Sequence, residues 1–161
     1  MGRMINRRRV LGEGKKKQVN LWNMVSTSMT TSAPGYNASS KTIAADGTIT
    51  YTNRSGASAA RIQLTMPASA MGLVNGVEYT VKVWVLNNEL STTYKSQIHT
   101  NGSYTNYLGP SPVSKTWTQT NDNNIAVGNL YADNYSNGAI FSIRVMVVEG
   151  DHIDDYVPYG A

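Results

Sequence analysis

The stretch VEYTVKVWVLN at residues 77–87 decides the fold class of this chain. Apolar or aromatic side chains take every second position, at Val77, Tyr79, Val81, Val83 and Val85. The positions between them are Glu78, Thr80, Lys82, Trp84 and Leu86. Strict alternation indicates a β-strand that buries one face, and valine favours strands.

Similar segments recur along the chain, separated by turns rich in Gly, Asn, Pro and Ser. They are DGTITYT (46–52), ARIQLTM (60–66), YKSQIHT (94–100), KTWTQT (115–120), NIAVGNL (124–130) and AIFSIRVMVVE (139–149). NLWNM (20–24) is a short apolar start, TSMTTSAPGYNASS (27–40) reads as a polar loop, and ASAMGLVNG (68–76) as a short helical turn. About eight or nine short strands predict an all-β fold, an antiparallel β-sandwich of the jelly-roll type.

Length and composition fit one domain with a short extension. The chain has 161 residues, of which 40% are hydrophobic and only 15% charged, below the usual quarter. We place an irregular N-terminal arm at 1–19 and the sandwich at 20–161. Cysteine is absent, which excludes disulfides, thiolate metal sites and a cysteine nucleophile.

Charge is concentrated at the N-terminus. The net formal charge is +4, but residues 1–17 alone carry +6 and the remainder −2. A body of that charge argues against nucleic-acid binding by the sandwich. No apolar run is long enough to span a membrane, and no apolar stretch follows the basic residues as it would in a secretory signal.

Recognisable catalytic patterns are missing, so we predict that the protein is not an enzyme. The acidic residues of the body are mostly isolated, apart from Glu149, Asp151, Asp154 and Asp155 beside His152. Glycoside hydrolysis needs a positioned carboxyl pair, and a short terminal loop is a poor place to separate two pKa values. The sequence also lacks Gly-x-Ser-x-Gly, His-Glu-x-x-His and a phosphate-binding loop.

Tyrosines among small polar residues predict a recognition surface. They lie in STTYKSQIHTNGSYTNYLGPSP (91–112) and NLYADNYSNG (129–138). Rigid rings surrounded by amides and hydroxyls suit the stacking and hydrogen bonding that sugars require, and they also suit protein partners. The alternative is that these tyrosines cap the ends of the sandwich. Trp84 lies out of phase with the valine face of its strand, so it is either a ligand platform or part of a second sheet face that a neighbour covers. The candidate glycan-binding residues are Tyr94, Tyr104, Tyr107, Tyr131, Tyr135 and Trp84.

Four segments, taken in order, resemble jelly-roll domains of the carbohydrate-binding-module type. NLWNM is similar to their opening strand, NGVEYTVKVWVLNN (75–88) to their Gly-x-x-Tyr-Thr strand, and SKTWTQTNDNNIAV (114–127) to their Trp-Thr strand and the strand after it. The ending FSIRVMVVEGDHIDDYVPYG (141–160) resembles the close of many tailed-bacteriophage structural proteins, in which Glu-Gly is followed by Tyr-x-Pro-Tyr. Asp154-Asp155 stands where that ending usually carries Thr-Pro.

The resemblance implies a virion structural protein: a head fibre, a capsid decoration or a tail-associated adhesin, assembled in the host cytoplasm. It implies core positions for Trp22 and Trp117 and a jelly roll that presents glycan-binding loops to the host surface. Such domains often carry one structural calcium, for which Asp151, Asp154 and Asp155 are the candidates. A solvated acidic turn is the alternative, and no other cofactor is expected.

The basic arm then reads as a virion anchor. Basic N-terminal runs also bind nucleic acid, target a protein to an anionic surface, or remain solvated tails. We expect contacts to other virion proteins, with no nucleic acid and no membrane insertion, and a homotrimer. The alternative function is a secreted or enzyme-associated carbohydrate-binding module located extracellularly. The anchoring candidates are Ile5, Arg7, Arg8, Arg9, Val10, Leu11, Lys15, Lys16 and Lys17.

Overall fold

The computed structural model describes residues 17–24, 28–31, 40–52, 61–90, 96–107, 112–121, 123–131 and 136–161. Within these ranges the chain forms ten strands and a 3-10 turn at Ser69–Met71. The strands are β1 Ser28–Thr31, β2 Ser40–Ile43, β3 Ile49–Thr52, β4 Arg61–Met66, β5 Glu78–Asn88, β6 Ser96–Thr100, β7 Ser103–Tyr107, β8 Val113–Thr118, β9 Ile125–Tyr131 and β10 Ile140–Glu149.

The strands form two five-stranded sheets. Sheet A has the order β1-β4-β9-β6-β7, and sheet B has the order β2-β3-β10-β5-β8. Every strand pairing is antiparallel. The fold is therefore all-β with two antiparallel sheets, as predicted, and β10 and β5 form the longest pairing at the centre of sheet B.

The core lies between the sheets and joins side chains from both. Sheet A contributes Leu64, Met66, Ile98, Ile125 and Val127; sheet B contributes Ile49, Tyr51, Tyr79, Val81, Val83, Phe141, Ile143, Val145 and Val147. These are the alternate positions expected of strands with one face turned inward. Trp22 and Trp117 also belong to this core, as the resemblance implied.

The sequence pattern did not predict strands β1, β2 and β7, and the resemblance implied a strand at NLWNM that does not form. The segment 27–40, predicted as a polar loop, contains β1 and the start of β2, and β7 lies in a stretch interpreted as loop. These strands are at sheet edges and rich in Ser and Thr, so they lack the apolar alternation that marks a half-buried strand. NLWNM is not a strand, although its Trp22 is fully buried.

The predicted helical turn is confirmed as the 3-10 turn, which buries Met71. No helix within the described ranges has the length and apolar character needed to cross a membrane.

Candidate functional site

The two ends of the described chain meet on the outer face of sheet B. There β10 turns Met146 and Val148 away from the core, and both are as buried as core residues. They form an outer cluster with Trp84, Ile153, Tyr156 and Val157. Residues 150–158, here called the C-terminal strap, therefore cover apolar side chains that would otherwise face water.

Asn20 joins the N-terminal segment, β10 and the strap through its buried side chain. Its Oδ1 accepts hydrogen bonds from the backbone N–H of Trp22 at 2.9 Å and of Val147 at 3.1 Å. Its Nδ2 donates to the carbonyls of Val145 at 3.1 Å and Val157 at 2.9 Å. Leu21 adds a backbone bond to the Val147 carbonyl at 2.8 Å. Strand β3 pairs with β10 only as far as Ile143. Beyond that residue the N-terminal segment forms hydrogen bonds with β10 in place of β3.

Two further side chains fix the strap. Gln18 donates to the His152 carbonyl at 2.9 Å and accepts from the Asp154 N–H at 3.0 Å. The Lys82 ammonium donates to the carbonyls of Ile153 at 3.1 Å and Asp154 at 3.2 Å, and it lies 5.0 Å from the centre of the Trp84 ring. Gln18 and Lys82 therefore pair backbone groups of the strap that would otherwise have to form hydrogen bonds with water.

Tyr156 docks the strap against the β2–β3 turn. Its ring meets Trp84 edge to face, with the centroids 5.4 Å apart, and the Arg144 guanidinium carbon lies 5.2 Å from its centroid. Its hydroxyl lies over Gly47, where any Cβ would overlap it. Burial raises the pKa of Tyr156. The turn is further tied to β10 by an ion pair between Asp46 and Arg144.

Asp46 is held in its ionised form. Its Oδ1 accepts the Thr48 N–H at 3.0 Å, and hydrogen bonds from the Thr48 side chain and Arg144 add to this. Together these lower the pKa of Asp46 to about 2. Since Arg144 also contacts Tyr156, the carboxylate supports the strap indirectly.

A cleft of about 480 Å³ opens where the basic arm joins the body. Its lining combines apolar and charged side chains: Lys17, Gln18, Val19, Leu21, Val148, Glu149, His152 and Asp154. Val19 is 62% exposed, the largest value among the exposed large hydrophobic side chains of the described residues. Lys17 is the only predicted anchoring residue within the described ranges; Ile5, Arg7, Arg8, Arg9, Val10, Leu11, Lys15 and Lys16 lie outside them.

The predicted glycan-binding residues fall on different sheets. Tyr104 and Tyr107 are on β7 and Tyr131 ends β9, all in sheet A, while Tyr94 and Tyr135 lie outside the described residues. Trp84 is on β5 of sheet B, and its ring packs beneath Tyr156 of the same chain. Trp84 therefore belongs to the outer cluster and does not share a sheet with the tyrosines.

The predicted calcium residues do not converge. Asp151 binds the neighbouring His152 ring nitrogen at 2.7 Å, and this hydrogen bond lowers the pKa of Asp151. Within the described ranges, no group of three or more His, Asp or Glu side chains is arranged to hold a metal ion. Asp151, Asp154 and Asp155 are exposed positions on the strap.

The residues that organise this junction were not singled out by sequence reasoning. Asn20, Gln18 and Lys82 act through backbone groups distant in sequence, so no local spacing marks them. The one sequence signal was the apolar run Val145-Met146-Val147-Val148, because a strand that is apolar at successive positions is buried on both faces. No protein-family model matches this sequence, and no curated protein matches it.

Proposed function

We propose that this chain is a non-catalytic structural protein of a tailed-bacteriophage virion, a head fibre, capsid decoration or tail adhesin. Its basic arm attaches it to the particle, and its sandwich carries a glycan-recognition surface outward. The observation that carries the proposal is a division of the molecule into two sides. The root of the +6 segment is fixed on the sheet B side, whereas β7 and β9, which carry Tyr104, Tyr107 and Tyr131, are in sheet A.

The strand order supports the jelly-roll interpretation. From β3 onward, sheet B contains β3-β10-β5-β8 and sheet A contains β4-β9-β6-β7. Successive strands therefore lie in opposite sheets, except for the β6–β7 hairpin. Such interleaving of two four-stranded sheets is what a jelly roll requires.

A cross-strand row on sheet A supports a recognition surface on that side. The register aligns Ser28, Thr65, Ala126, His99 and Tyr104 across all five strands. On the three central strands the neighbours of this row, Leu64, Met66, Ile125, Val127 and Ile98, belong to the core, so the row there faces away from it. Thr65 and His99 are half-buried and flank the small, buried Ala126, and a hydroxyl and an imidazole suit a sugar better than an apolar ligand.

Particle incorporation tests the anchor. A chain lacking residues 2–16 retains Gln18 and Asn20, so its strap contacts are preserved. A second variant replaces Arg7, Arg8, Arg9, Lys15 and Lys16 by Gln and removes charge alone. We expect both variants to melt like the parent protein but to be missing from purified particles. Normal incorporation of the deletion variant contradicts the anchor.

Glycan binding tests the outward face. On an array of bacterial surface glycans, we expect Tyr104→Ala and Tyr131→Ala to reduce the signal of the parent protein. Tyr107 pairs with Ser96, in phase with the core residue Ile98, so it lies on the opposite face of β7 from Tyr104 and is left out of this test. Tyr159→Ala is the matched control, since Tyr159 is 42% exposed near the end of the chain, beyond the strap. Equal losses for Tyr159→Ala and the sheet A variants contradict a site on sheet A.

The second candidate function is a carbohydrate-binding module outside a virion, acting extracellularly. The cross-strand row on sheet A supports this function as well as it supports the first, but a free module does not need a basic anchoring arm. Glycan binding that survives in the arm-deleted chain, together with absence of the full-length protein from purified particles, selects this alternative. We further propose that the virion protein is a homotrimer without bound nucleic acid.

A further inference from the structure

We propose that the glycan bound on sheet A is acidic, and that Arg61 and His99 contact its carboxylate or phosphate groups. The inference rests on the proposed glycan-binding function and adds the chemical class of the ligand. Two cross-strand pairs carry it. Arg61 on β4 is in register with Tyr131 on β9, and His99 on β6 is in register with Tyr104 on β7. Tyr104 and Tyr131 thus each have a basic residue as cross-strand neighbour.

The four positions lie on one face of sheet A. Thr65 and His99 belong to the cross-strand row that faces away from the core. Arg61 is four residues before Thr65 on β4, and positions four apart on a strand share a face. Directly paired residues also share a face, which adds Tyr131 and Tyr104. One face therefore carries two tyrosine positions and two basic ones.

The β-bulge between the two pairs does not change this placement. From the pair Ile62–Leu130 to the pair Leu64–Val127, β4 advances by two residues and β9 by three. The extra residue is therefore in β9, where Gly128 has a φ of +87°. The alternation of β4 continues unbroken from Arg61 to Thr65.

The strands of sheet A contain no Asp or Glu, and Arg61 is their only residue with a formal charge at pH 7. An anionic ligand therefore meets no like charge along these strands. Asp122 and Asp133 lie outside the described residues. All carboxylates of the described residues lie in sheet B, in the turns beside it or in the strap: Asp46, Glu78, Glu89, Glu149, Asp151, Asp154 and Asp155.

Each pair combines the two interactions that an acidic sugar needs. A tyrosine ring packs against the apolar face of a sugar ring, and a guanidinium forms paired hydrogen bonds to a carboxylate or phosphate. An imidazole donates a hydrogen bond when neutral and carries a positive charge when protonated. Cross-strand partners lie about 5 Å apart, so one sugar can reach both members of a pair.

The two pairs are too far apart for one monosaccharide to contact both. Arg61 lies about 13 Å along β4 from the row of Thr65 and His99, and β4 and β6 are two strands apart, about 10 Å across the sheet. Arg61 and His99 are therefore separated by about 16 Å. The ligand that uses both is an oligosaccharide with at least two acidic groups, and engaging both at once strengthens its binding.

The array of bacterial surface glycans tests the ligand class on the unmodified protein. We expect the strongest signals from glycans that carry uronic acids or phosphate, with a difference from neutral glycans that shrinks as salt rises. Reducing the carboxylates to alcohols and removing the phosphate esters, in separate copies of the array, distinguishes the two sources, and one treatment should lower the signal about tenfold. Signals from neutral glycans that are as strong overturn the inference but leave glycan recognition intact. The absence of any signal overturns both.

Single substitutions test the two residues on the strongest acidic glycan of the array. We expect Arg61→Gln to weaken its binding about tenfold, Arg61→Lys to retain part of the affinity, and His99→Gln to cause a smaller loss, each in a protein that melts like the parent. Lys41→Gln is the matched control: Lys41 is also in register with a tyrosine, but on sheet B, where that partner, Tyr51, is buried in the core. Unchanged binding in Arg61→Gln, or an equal loss in Lys41→Gln, overturns the proposal.

Discussion

On the inner face of sheet B, Val81, Val83 and Val147 are fully buried against side chains of sheet A. On its outer face Met146 is also 0% exposed, but it is covered by a strap from the end of the same chain. The inner face needs only the alternation of its own strands and an opposing sheet. The outer face depends on individual hydrogen bonds that hold the chain ends in place. Burial of the core thus determines the fold, and the hydrogen bonds between the two chain ends determine that the arm begins on the sheet B side.

The largest expected effect is on the inner face. Phe141→Ala removes a ring that is 1% exposed between the sheets. We expect the free energy of unfolding to fall by about 3–5 kcal/mol, because transfer energy is lost and a cavity remains. Urea denaturation measures it. A loss as small as that of a surface substitution would contradict the assignment of this face as the core.

The next effect is at the junction of the ends. Asn20→Ala leaves the Val147 N–H and the Val145 and Val157 carbonyls without their side-chain partner. We expect a loss of about 2–3 kcal/mol in unfolding free energy, the cost of buried unpaired groups. Asn87→Ala is the matched control, since the Asn87 side chain donates to an exposed carboxylate, that of Glu89, at 3.2 Å. Equal changes in the two variants would show that Asn20 does not hold the ends.

A glycine pair isolates the contact between the strap and the β2–β3 turn. Gly47 and Gly76 share a φ of +83°, but only at Gly47 does an added Cβ meet other side chains, chiefly Tyr156 and also the Met24 sulfur at 3.1 Å. We expect Gly47→Ala to cost about 1–2 kcal/mol more than Gly76→Ala, because the overlap adds to equal backbone strain. Tyr156→Phe should relieve part of that difference. The Tyr156 hydroxyl has no hydrogen-bond partner in the described structure, so that change alone should be nearly neutral.

The smallest effect is a pH dependence. The pKa of Asp46 is about 2 in the folded chain, against an ordinary 3.8, so ionised Asp46 stabilises the fold above pH 4. This contribution is lost as the pH falls from about 4 to about 2. Asp46→Asn should therefore lose less stability than the parent over that interval, measured by thermal melting. Parallel melting curves would contradict an ionised, hydrogen-bonded Asp46.

The sequence predicted the strands in which apolar side chains alternate with polar ones. Alternation predicted the buried positions of β3, β5 and β10, and Gly72 follows the predicted turn with φ +69°. It could not find β1, β2 and β7, which are short, rich in Ser and Thr, and placed at sheet edges, so they lack apolar alternation. It left Trp84 as either a ligand platform or a residue covered by a neighbour, because the contact of Trp84 with Tyr156 joins positions 72 residues apart. Only Lys17 of the predicted anchor lies in the described residues, where it lines the cleft.

The central claim is that the sheet B side faces the particle and the sheet A side faces outward. Maleimide labelling of single-cysteine variants tests it, since the native chain contributes no thiol. Asp155→Cys marks the exposed strap, and Asn124→Cys marks an exposed position before β9. Assembly into particles should slow labelling at position 155 about tenfold and leave position 124 as reactive as in free protein. Slowed labelling at position 124 with free reaction at position 155 would contradict the account.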